Sequence, residues 1–237
     1  MQPLRFGIVQ YFGKKKIIFA DMDLLVKILI VIAAYLMGSI PTSVWVGKIF
    51  YGTDVREHGS GNAGATNTIR VLGLLPGIFV FIVDVLKGYF AVRLLYLTDF
   101  YIPQTGMFIN FQLILGVAAL VGHIFPIFAQ FRGGKGVAVL SGVVFALQPY
   151  ATLIVFGIWV ISLLITRYVS LSSMIAGFSF PLVLIFVYRT TNPSLIIFAF
   201  TLAILMLFTH QKNIERLIKG EESKFKPGKK KTSDETK

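Results

Sequence analysis

The chain has 237 residues, of which 55% are hydrophobic and 14% charged, and its mean hydropathy is +0.76. Soluble domains carry about 25% charged residues, so this composition indicates an integral membrane protein. The sequence contains no cysteine and only three histidines, which excludes disulfides and thiolate zinc sites and leaves few ligands for any other metal centre.

The formal net charge is +12, which in a soluble protein raises the question of nucleic acid binding. Nine of the 23 lysines and arginines lie after His210, and most of the others lie at the ends of apolar segments. This distribution indicates that the positive charge serves anionic lipid headgroups and membrane topology. No nucleic acid partner is expected.

Residues 1–21 precede the first apolar segment and contain Arg5 and three consecutive lysines at 14–16. They are not a signal peptide by pattern, because no small-residue cleavage site follows a short apolar core. Met22 opens the run MDLLVKILIV, so we hypothesise that translation begins there and that 1–21 form an extension outside the mature protein. The intact mass of the natively expressed protein tests this hypothesis, and a full-length species would refute it.

Seven apolar segments are candidates for transmembrane helices, each of which needs about 20 apolar residues to cross a bilayer. They are 24–46, 72–96, 109–129, 137–147, 150–165, 171–188 and 195–209. The fourth is short and ends at Gln148 and Pro149, which suits a half-helix or a re-entrant segment. The predicted fold is an all-α integral membrane protein with a bundle of seven transmembrane helices in a domain at 22–209.

The distribution of basic residues predicts the topology of these spans. If the basic C-terminus is cytoplasmic, the inside loops hold Lys48, Arg56, Arg70, Arg132, Lys135 and Arg167. The outside loops hold only Arg189. We therefore expect a multi-pass membrane protein with a cytoplasmic C-terminus. The basic residues of 1–21 would then lie outside, so either the count is off by one or these residues are absent from the mature product.

A polar loop, GSGNAGATNTIRVLG at 59–73, follows the first span. Its glycines let backbone amides approach a ligand, and Asn62 or Thr66 is placed to cap a helix that runs through Asn67 and Arg70. Thr66 and Arg70 are four residues apart on one helix face, so a hydroxyl, free amides and a guanidinium converge as a phosphate requires. The alternative is a flexible loop in which Arg70 is only a topological charge.

Asp84 and Lys87 lie three residues apart within the second predicted span. Unpaired charges at that depth are costly, so an internal ion pair is the economical interpretation. We expect this pair to be structural.

A second glycine loop lies in GHIFPIFAQFRGGKGVAVLSG, which begins at Gly122. Glycines around Lys135 again expose amides at a helix N-terminus, with an ammonium group among them. The spacing differs from a Walker A loop, so no nucleotide is implied. The alternative is a tight cytoplasmic turn with two topogenic cations. His123 is more typical of a hydrogen-bonded helix-packing residue than of a catalyst.

Two further polar segments flank the last spans. TRYVSLSSMIAG at 166–177 places serines at a helix start, where they are usually caps. THQKNIERLIKGEESK at 209–224 predicts a cytoplasmic interfacial helix at 210–224, with His210 and Asn213 at its inner edge. A simple basic juxtamembrane helix is the alternative. Residues 225–237 are expected to be a disordered basic tail.

In the predicted topology all four polar segments lie on the cytoplasmic face. Two cation-bearing glycine loops on one face favour a ligand, or a pair of ligands, with more than one phosphate group. Such a ligand would be bound next to the lipid phase.

These segments resemble the PlsY family of bacterial acyl-phosphate:glycerol-3-phosphate acyltransferases. The resemblance covers residues 22–224, nearly the whole chain apart from its two ends, and the N-terminal 21 residues depart from the family pattern, which normally opens close to the first span. It rests on GSIPTS at 38–43, GSGNAGATN at 59–67 with Arg70, DVLKG at 84–88, GHIFPIFAQFRGGKGVA at 122–138, VSLSS at 169–173 and HQKNIERLIKGEE at 210–222. So many ordered motifs are not expected by chance.

The resemblance implies seven spans, a cytoplasmic active site and acyl transfer from acyl phosphate to the 1-hydroxyl of sn-glycerol 3-phosphate. Lysophosphatidic acid and phosphate would be the products. The implied reaction needs no cofactor or metal, because acyl phosphate is already activated, and the enzyme would act downstream of one that forms acyl phosphate. The implied structural residue is Glu222.

The candidate site residues follow from the motifs and from this resemblance. Arg70 and Lys135 would neutralise phosphate charge, and Asn213 would help to position the acceptor. The proton acceptor is either His210 or a substrate phosphate. The catalytic candidates are Ser60, Arg70, Lys135, His210 and Asn213, and the substrate-binding candidates are Gly61, Asn62, Thr66, Asn67, Gly133, Gly134, Gly136, Ser170 and Ser172.

Two other classes of function compete with this interpretation. A transporter of organic phosphates predicts charges near the bilayer midplane and access from both sides. A non-catalytic scaffold would use the basic tail to bind anionic lipid. Acyl transfer by an HxxxxD pair is disfavoured, because no histidine of this chain has an aspartate five residues later.

Overall fold

The computed structural model describes residues 23–225, which fold into ten α-helices joined by turns, short 3₁₀ segments and one π-helical segment, Val183–Val187. The helices are α1 (Asp23–Ser39), α2 (Thr42–Tyr51), α3 (Ala65–Leu72), α4 (Leu74–Arg93), α5 (Gly106–Ile124), α6 (Val137–Leu147), α7 (Pro149–Thr166), α8 (Val169–Leu182), α9 (Pro193–Thr209) and α10 (Gln211–Ile218). The predicted extension at 1–21, the Met22 start and the predicted tail beyond residue 225 lie outside the described residues.

Each predicted span falls on a helix, but the first span is broken. Segment 24–46 divides into α1 and α2, whose axes differ by 44°, because Pro41 has no backbone N–H with which to continue α1. By length and composition, Gly106–Ala129, Pro149–Thr166 and Val169–Val187 can cross a membrane, and five segments can if each bent helix pair is one span. The count of seven therefore stays a prediction.

The short helix α6 packs closely against α4. Its Val139 and Val143 side chains are fully buried. A methyl group on Gly88 of α4 would collide with the backbone oxygen of Val139, and one on Gly142 of α6 would collide with that of Val85. Small residues on both helices thus allow their backbones to touch. With 11 residues, α6 extends only about 16 Å and is too short to span a bilayer by itself.

The expected ion pair between Asp84 and Lys87 is present on α4. Lys87 Nζ lies 2.8 Å from Asp84 Oδ1, and both side chains are buried. Thr42 Oγ1 donates a hydrogen bond of 3.0 Å to Asp84 Oδ1, and Lys87 Nζ donates one of 2.8 Å to the carbonyl oxygen of Ile40. That carbonyl lies at the break between α1 and α2, so the ion pair fixes the broken helix against α4.

The contact between α4 and α6 predicts that Gly142→Val destabilises the protein. The added side chain meets backbone atoms of Val85 and Tyr89 that cannot move without displacing α4, and overpacking of this kind costs about 1–3 kcal/mol. We expect a lower midpoint of thermal unfolding in detergent.

Gly157→Val is the matched control, because it also places valine inside a helix but meets no heavy atom within 4 Å. Equal midpoints for the two variants would refute the packing argument.

Candidate active site

The first glycine loop ends at the start of α3. Gly64, in an extended conformation, is the N-cap residue, and no side chain caps the helix. The prediction that Asn62 or Thr66 caps this helix is therefore wrong, because the helix begins one residue before Thr66. Thr66 and Arg70 do share α3 as expected, and Ser60, Asn62, Thr66 and Arg70 all line one cavity.

Asn67 organises this loop from within. Its side chain is 1% exposed and donates hydrogen bonds to the carbonyl oxygens of Val55 (2.6 Å) and His58 (3.1 Å). Its Oδ1 accepts hydrogen bonds from the backbone N (2.8 Å) and the Oγ (3.1 Å) of Ser60. Both amide hydrogens of Asn67 are thus in use within the loop, where the side chain orients the Ser60 hydroxyl, and Asn67 also lines the cavity.

Gly59 belongs to the same arrangement. Its φ is +64°, and a Cβ at this position would collide with Asn67 Oδ1. The predicted substrate-binding Gly61 also has a positive φ and follows Ser60 in the turn. These glycines allow the backbone to wrap around the Asn67 side chain.

The second glycine loop folds back over the end of α5. The backbone N of Gly133 donates to the carbonyl oxygen of Ile124 (3.1 Å), and that of Gly134 donates to the carbonyl oxygen of His123 (3.2 Å). These two amides are therefore not free for a ligand, contrary to the sequence prediction. A Cβ on either glycine would collide with His123 atoms, so the two glycines serve close packing. Gly136, the N-cap residue of α6, does line the cavity.

His123 lies beneath this loop and also lines the cavity. It is buried, as expected of a helix-packing residue. Among residues 23–225, no side chain or backbone group forms a hydrogen bond with its ring. His123 therefore packs between helices as expected, but without the expected hydrogen bond.

A hydrogen-bonded chain centred on Glu222 connects the remaining polar segments. Glu222 Oε1 accepts hydrogen bonds of 2.8 Å from Ser170 Oγ and from Asn213 Nδ2. Glu222 Oε2 accepts one of 2.7 Å from Arg216 Nε. Asn213 Oδ1 in turn accepts a hydrogen bond from Lys135 Nζ. Glu222 therefore positions two predicted catalytic side chains, in keeping with its expected structural role.

The predicted serines of α8 separate into two groups. Ser170 and Ser173 line the cavity, and Ser173 Oγ accepts a hydrogen bond of 3.2 Å from Trp159 Nε1. Ser172 is fully buried, and its hydroxyl donates to the carbonyl oxygen of Tyr168. The structure thus does not support the prediction that Ser172 binds substrate. None of these serines caps α8, whose N-cap residue is Tyr168.

Arg216 is a site residue that the sequence did not single out. It lies six residues after His210, the N-cap residue of α10, and three residues after Asn213. Asn213 and Arg216 therefore share one face of α10. This HxxNxxR spacing was the available signal. Arg216 is partly exposed, and its charge is paired with Glu222.

Positive charge exceeds negative charge in this region. Burial lowers the pKa of Arg70, and burial together with the charge of Arg216 lowers the pKa of Lys135 to about 8. Although burial raises it, hydrogen bonds from Arg216, Asn213 and Ser170 bring the pKa of Glu222 below its ordinary value. The cluster suits anionic ligands. Among residues 23–225, no group of three or more His, Asp or Glu side chains is placed to hold a metal ion.

His210 lies at the 61° bend between α9 and α10 and is 3% exposed. Its Nδ1 lies 2.8 Å from the carbonyl oxygen of Met206. Because a carbonyl oxygen can only accept, Nδ1 carries the proton and Nε2 is the acceptor of the neutral ring. Burial and the neighbouring Lys135 ammonium lower the pKa of His210 to about 4, so the imidazole is neutral near pH 7.

The cavity has a volume of about 390 Å³ and joins two chemically different regions. Its polar region contains Ser60, Asn62, Thr66, Arg70, Lys135, Ser170, His210, Asn213 and Glu222. Its apolar region is formed by α4, α6, α7, α8 and α9, and includes Ile78, Phe81, Leu140, Val144, Val155, Phe156, Trp159, Leu163, Phe180 and Leu202. The sequence did not predict the apolar region, because groove-lining and lipid-facing side chains are equally hydrophobic.

Comparisons with known proteins agree on one family. A family model described as glycerol-3-phosphate acyltransferase matches residues 28–220. The glycerol-3-phosphate acyltransferase of Chlorobaculum tepidum is 37% identical over 234 residues, which cover 85% of this chain and 97% of that protein. Glycerol-3-phosphate acyltransferase 2 of Bacillus anthracis is 43% identical over 202 residues, which cover 84% and 99%.

Two solved structures share the fold. The glycerol 3-phosphate form of PlsY, an integral membrane glycerol 3-phosphate acyltransferase, matches with a TM-score of 0.75 and 37% identity over 84% of this chain and 96% of that one. Its lysophosphatidic acid form matches with a TM-score of 0.72 and 35% identity over 84% and 95%. These matches confirm the predicted class, an all-α integral membrane fold.

The chain centred on Glu222 predicts that Glu222→Ala destabilises the protein. The substitution leaves Asn213 Nδ2 and Ser170 Oγ without their acceptor in buried positions, and each such group costs about 1–3 kcal/mol. We expect a lower midpoint of thermal unfolding than in the parent protein.

Glu221→Ala is the matched control, since the neighbouring Glu221 is exposed. If the two variants unfold at the same temperature, Glu222 does not hold Asn213 and Ser170 in place.

Proposed function

The chain belongs to the glycerol-3-phosphate acyltransferase family, and from that premise we propose that it transfers a fatty acyl group from acyl phosphate to the 1-hydroxyl of sn-glycerol 3-phosphate. The ester bond forms between the hydroxyl oxygen and the acyl carbon, and the bond from that carbon to the phosphate oxygen breaks. The hydroxyl proton leaves with the phosphate. The products are lysophosphatidic acid and inorganic phosphate.

The observation that carries this proposal is the continuity of the cavity. An acyl phosphate has an anionic head and a long apolar tail, and the cavity pairs a cationic region with an apolar one. The tail gains free energy from the apolar side chains of α6, α7 and α8. The head then lies at Lys135, where α6 begins.

The second phosphate belongs to the acceptor. Two anions repel each other, so both can be held close together only where cations offset that repulsion. Arg70 and Lys135 serve this purpose in our proposal. Ser60, Asn62 and Thr66 orient the phosphate groups, and Asn213 helps to position the acceptor.

A substrate phosphate is the better candidate for the proton acceptor. An imidazole whose pKa is about 4 takes up a proton poorly at neutral pH. A phosphate dianion has a second pKa of about 6 and lies next to the reacting hydroxyl. His210 then contributes a neutral hydrogen-bonding group that lines the cavity.

The predicted membrane arrangement completes the proposal. We infer seven spans within 22–209, an interfacial segment at 210–224 whose helical part is α10 (Gln211–Ile218), a cytoplasmic C-terminus and location in the bacterial inner membrane. The four polar segments converge on one cavity, which favours an enzyme over a transporter with access from both sides. The acyl phosphate would come from a separate enzyme that forms it.

The proposal predicts that the purified full-length protein in detergent releases inorganic phosphate from palmitoyl phosphate only when glycerol 3-phosphate is present. Lysophosphatidic acid should accumulate in equal amount, as measured by mass spectrometry. Replacing the donor with palmitoyl coenzyme A or with palmitoyl acyl-carrier protein should give no product. Transfer from either thioester at a comparable rate would contradict the proposed donor.

The proposed role of Lys135 predicts that kcat/KM decreases at alkaline pH. Its ammonium form attracts the phosphate groups, and its pKa is about 8, so kcat/KM should fall as the pH rises through about 8 in the free enzyme. Lys135→Arg keeps its charge at all accessible pH values. That variant, whatever its absolute rate, should lose this alkaline limb.

Lys212→Arg is the control, because Lys212 is exposed on α10. It should keep the parent profile. A parent profile that stays flat to pH 10 would contradict the assigned role of Lys135.

The same measurements on His210→Gln distinguish the two proton acceptors, because a histidine base predicts the loss of the acidic limb in this variant.

A further inference from the structure

We propose that Arg56, held by Asp54, is a positioning residue that fixes the Ser60 loop against the Lys135 loop. This inference rests on the proposed function, in which the two loops hold phosphate groups together. Neither Arg56 nor Asp54 belongs to the glycine motifs.

Arg56 connects two segments that are more than seventy residues apart in the sequence. Its Nη1 donates a hydrogen bond of 2.8 Å to the carbonyl oxygen of Ala129 and one of 3.3 Å to that of Arg132. These carbonyls precede Gly133 and Lys135 in the second glycine loop. The guanidinium therefore anchors the base of the loop that carries Lys135.

Asp54 holds the other edge of the same guanidinium. Its Oδ1 accepts from Arg56 Nε (3.0 Å) and from the backbone N of Arg56 (3.0 Å), and its Oδ2 accepts from Nη2 (2.7 Å). The side chains of Arg56 and Asp54 are only 9% and 8% exposed. A bidentate pair in this environment has one geometry, so Arg56 cannot swing away from the second loop.

The connection continues to the catalytic candidates. Val55, between the two paired residues, accepts a hydrogen bond from Asn67, and Asn67 accepts from the backbone N and the hydroxyl of Ser60. The second loop is thus hydrogen-bonded to Arg56, the backbone joins Arg56 to Val55, and further hydrogen bonds connect Val55 through Asn67 to Ser60. Movement of Arg56 would change the distance between Ser60 and Lys135.

Arg56 does not line the cavity, so its effect on a ligand is indirect. The position requires arginine because Nε and Nη2 bond to the two oxygens of the Asp54 carboxylate while Nη1 bonds to carbonyl oxygens of the second loop. A lysine has one nitrogen and cannot satisfy a carboxylate and two carbonyls in this arrangement. If Arg56 acted only as a charge that sets the membrane topology, a lysine would serve equally well.

Arg56→Lys is therefore the decisive variant, since it keeps the positive charge and removes the planar guanidinium with its separate N–H donors. We expect KM for both substrates to rise about tenfold or more, because small displacements of binding groups weaken joint recognition, with a smaller effect on kcat. Asp54→Asn, which keeps the size of the side chain but loses the charge, should change KM in the same direction. Lys48→Met is the control: it removes only the exposed partner of Asp54, so activity should stay within about twofold.

Spin labels measure the position of the loops directly. The chain has no cysteine, so labels on Glu57→Cys and Phe131→Cys, both exposed positions, report one distance. We expect a narrow distance distribution with Arg56 and a broader or shifted one with Arg56→Lys or Asp54→Asn.

The proposal is overturned if Arg56→Lys keeps the parent KM values, or if the label distances are unchanged in both variants. A parent protein without acyl transfer would refute the proposed function alone, because the label distances would still test the role of Arg56.

Discussion

An excess of positive charge around a half-buried cavity is the constraint on which the rest of this structure depends. Arg70, Lys135 and Arg216 lie close enough to affect one another, and Glu222 is the carboxylate among them. Burial lowers the pKa of Lys135, which means that its charged form is already held at a cost. Anionic ligands reduce that cost, so the cluster favours the phosphate groups of the two proposed substrates.

The fold supplies this cluster by bringing distant loops onto one frame. α4 and α6 touch through glycines, and the Asp84–Lys87 pair fixes the break between α1 and α2 to α4. Glycine-rich loops are intrinsically flexible, so they hold a geometry only when side chains tie them down. Asn67 does this within the first loop, and the Glu222 chain does it between Ser170, Asn213 and Lys135.

The sequence interpretation was weakest where it assigned the same role to residues of the same type. Gly133 and Gly134 were expected to offer amides to a ligand, but those amides bond to carbonyls at the end of α5. Ser172 was grouped with Ser170, yet its hydroxyl bonds to its own helix. Both differences have one cause: a motif gives the chemical type of a residue, whereas its partner depends on which segment packs against it.

The sequence by itself determined the all-α membrane class, the polar segments and the family resemblance, because these depend on composition, periodicity and the order of residues along the chain. Only the tertiary structure decided that an apolar region continues from the cationic one, that Arg56 and Arg216 support the candidate site, and which side chains Glu222 holds there. Such bonds join residues that are up to 78 positions apart. No local pattern encodes them, since they form only when whole helices have packed.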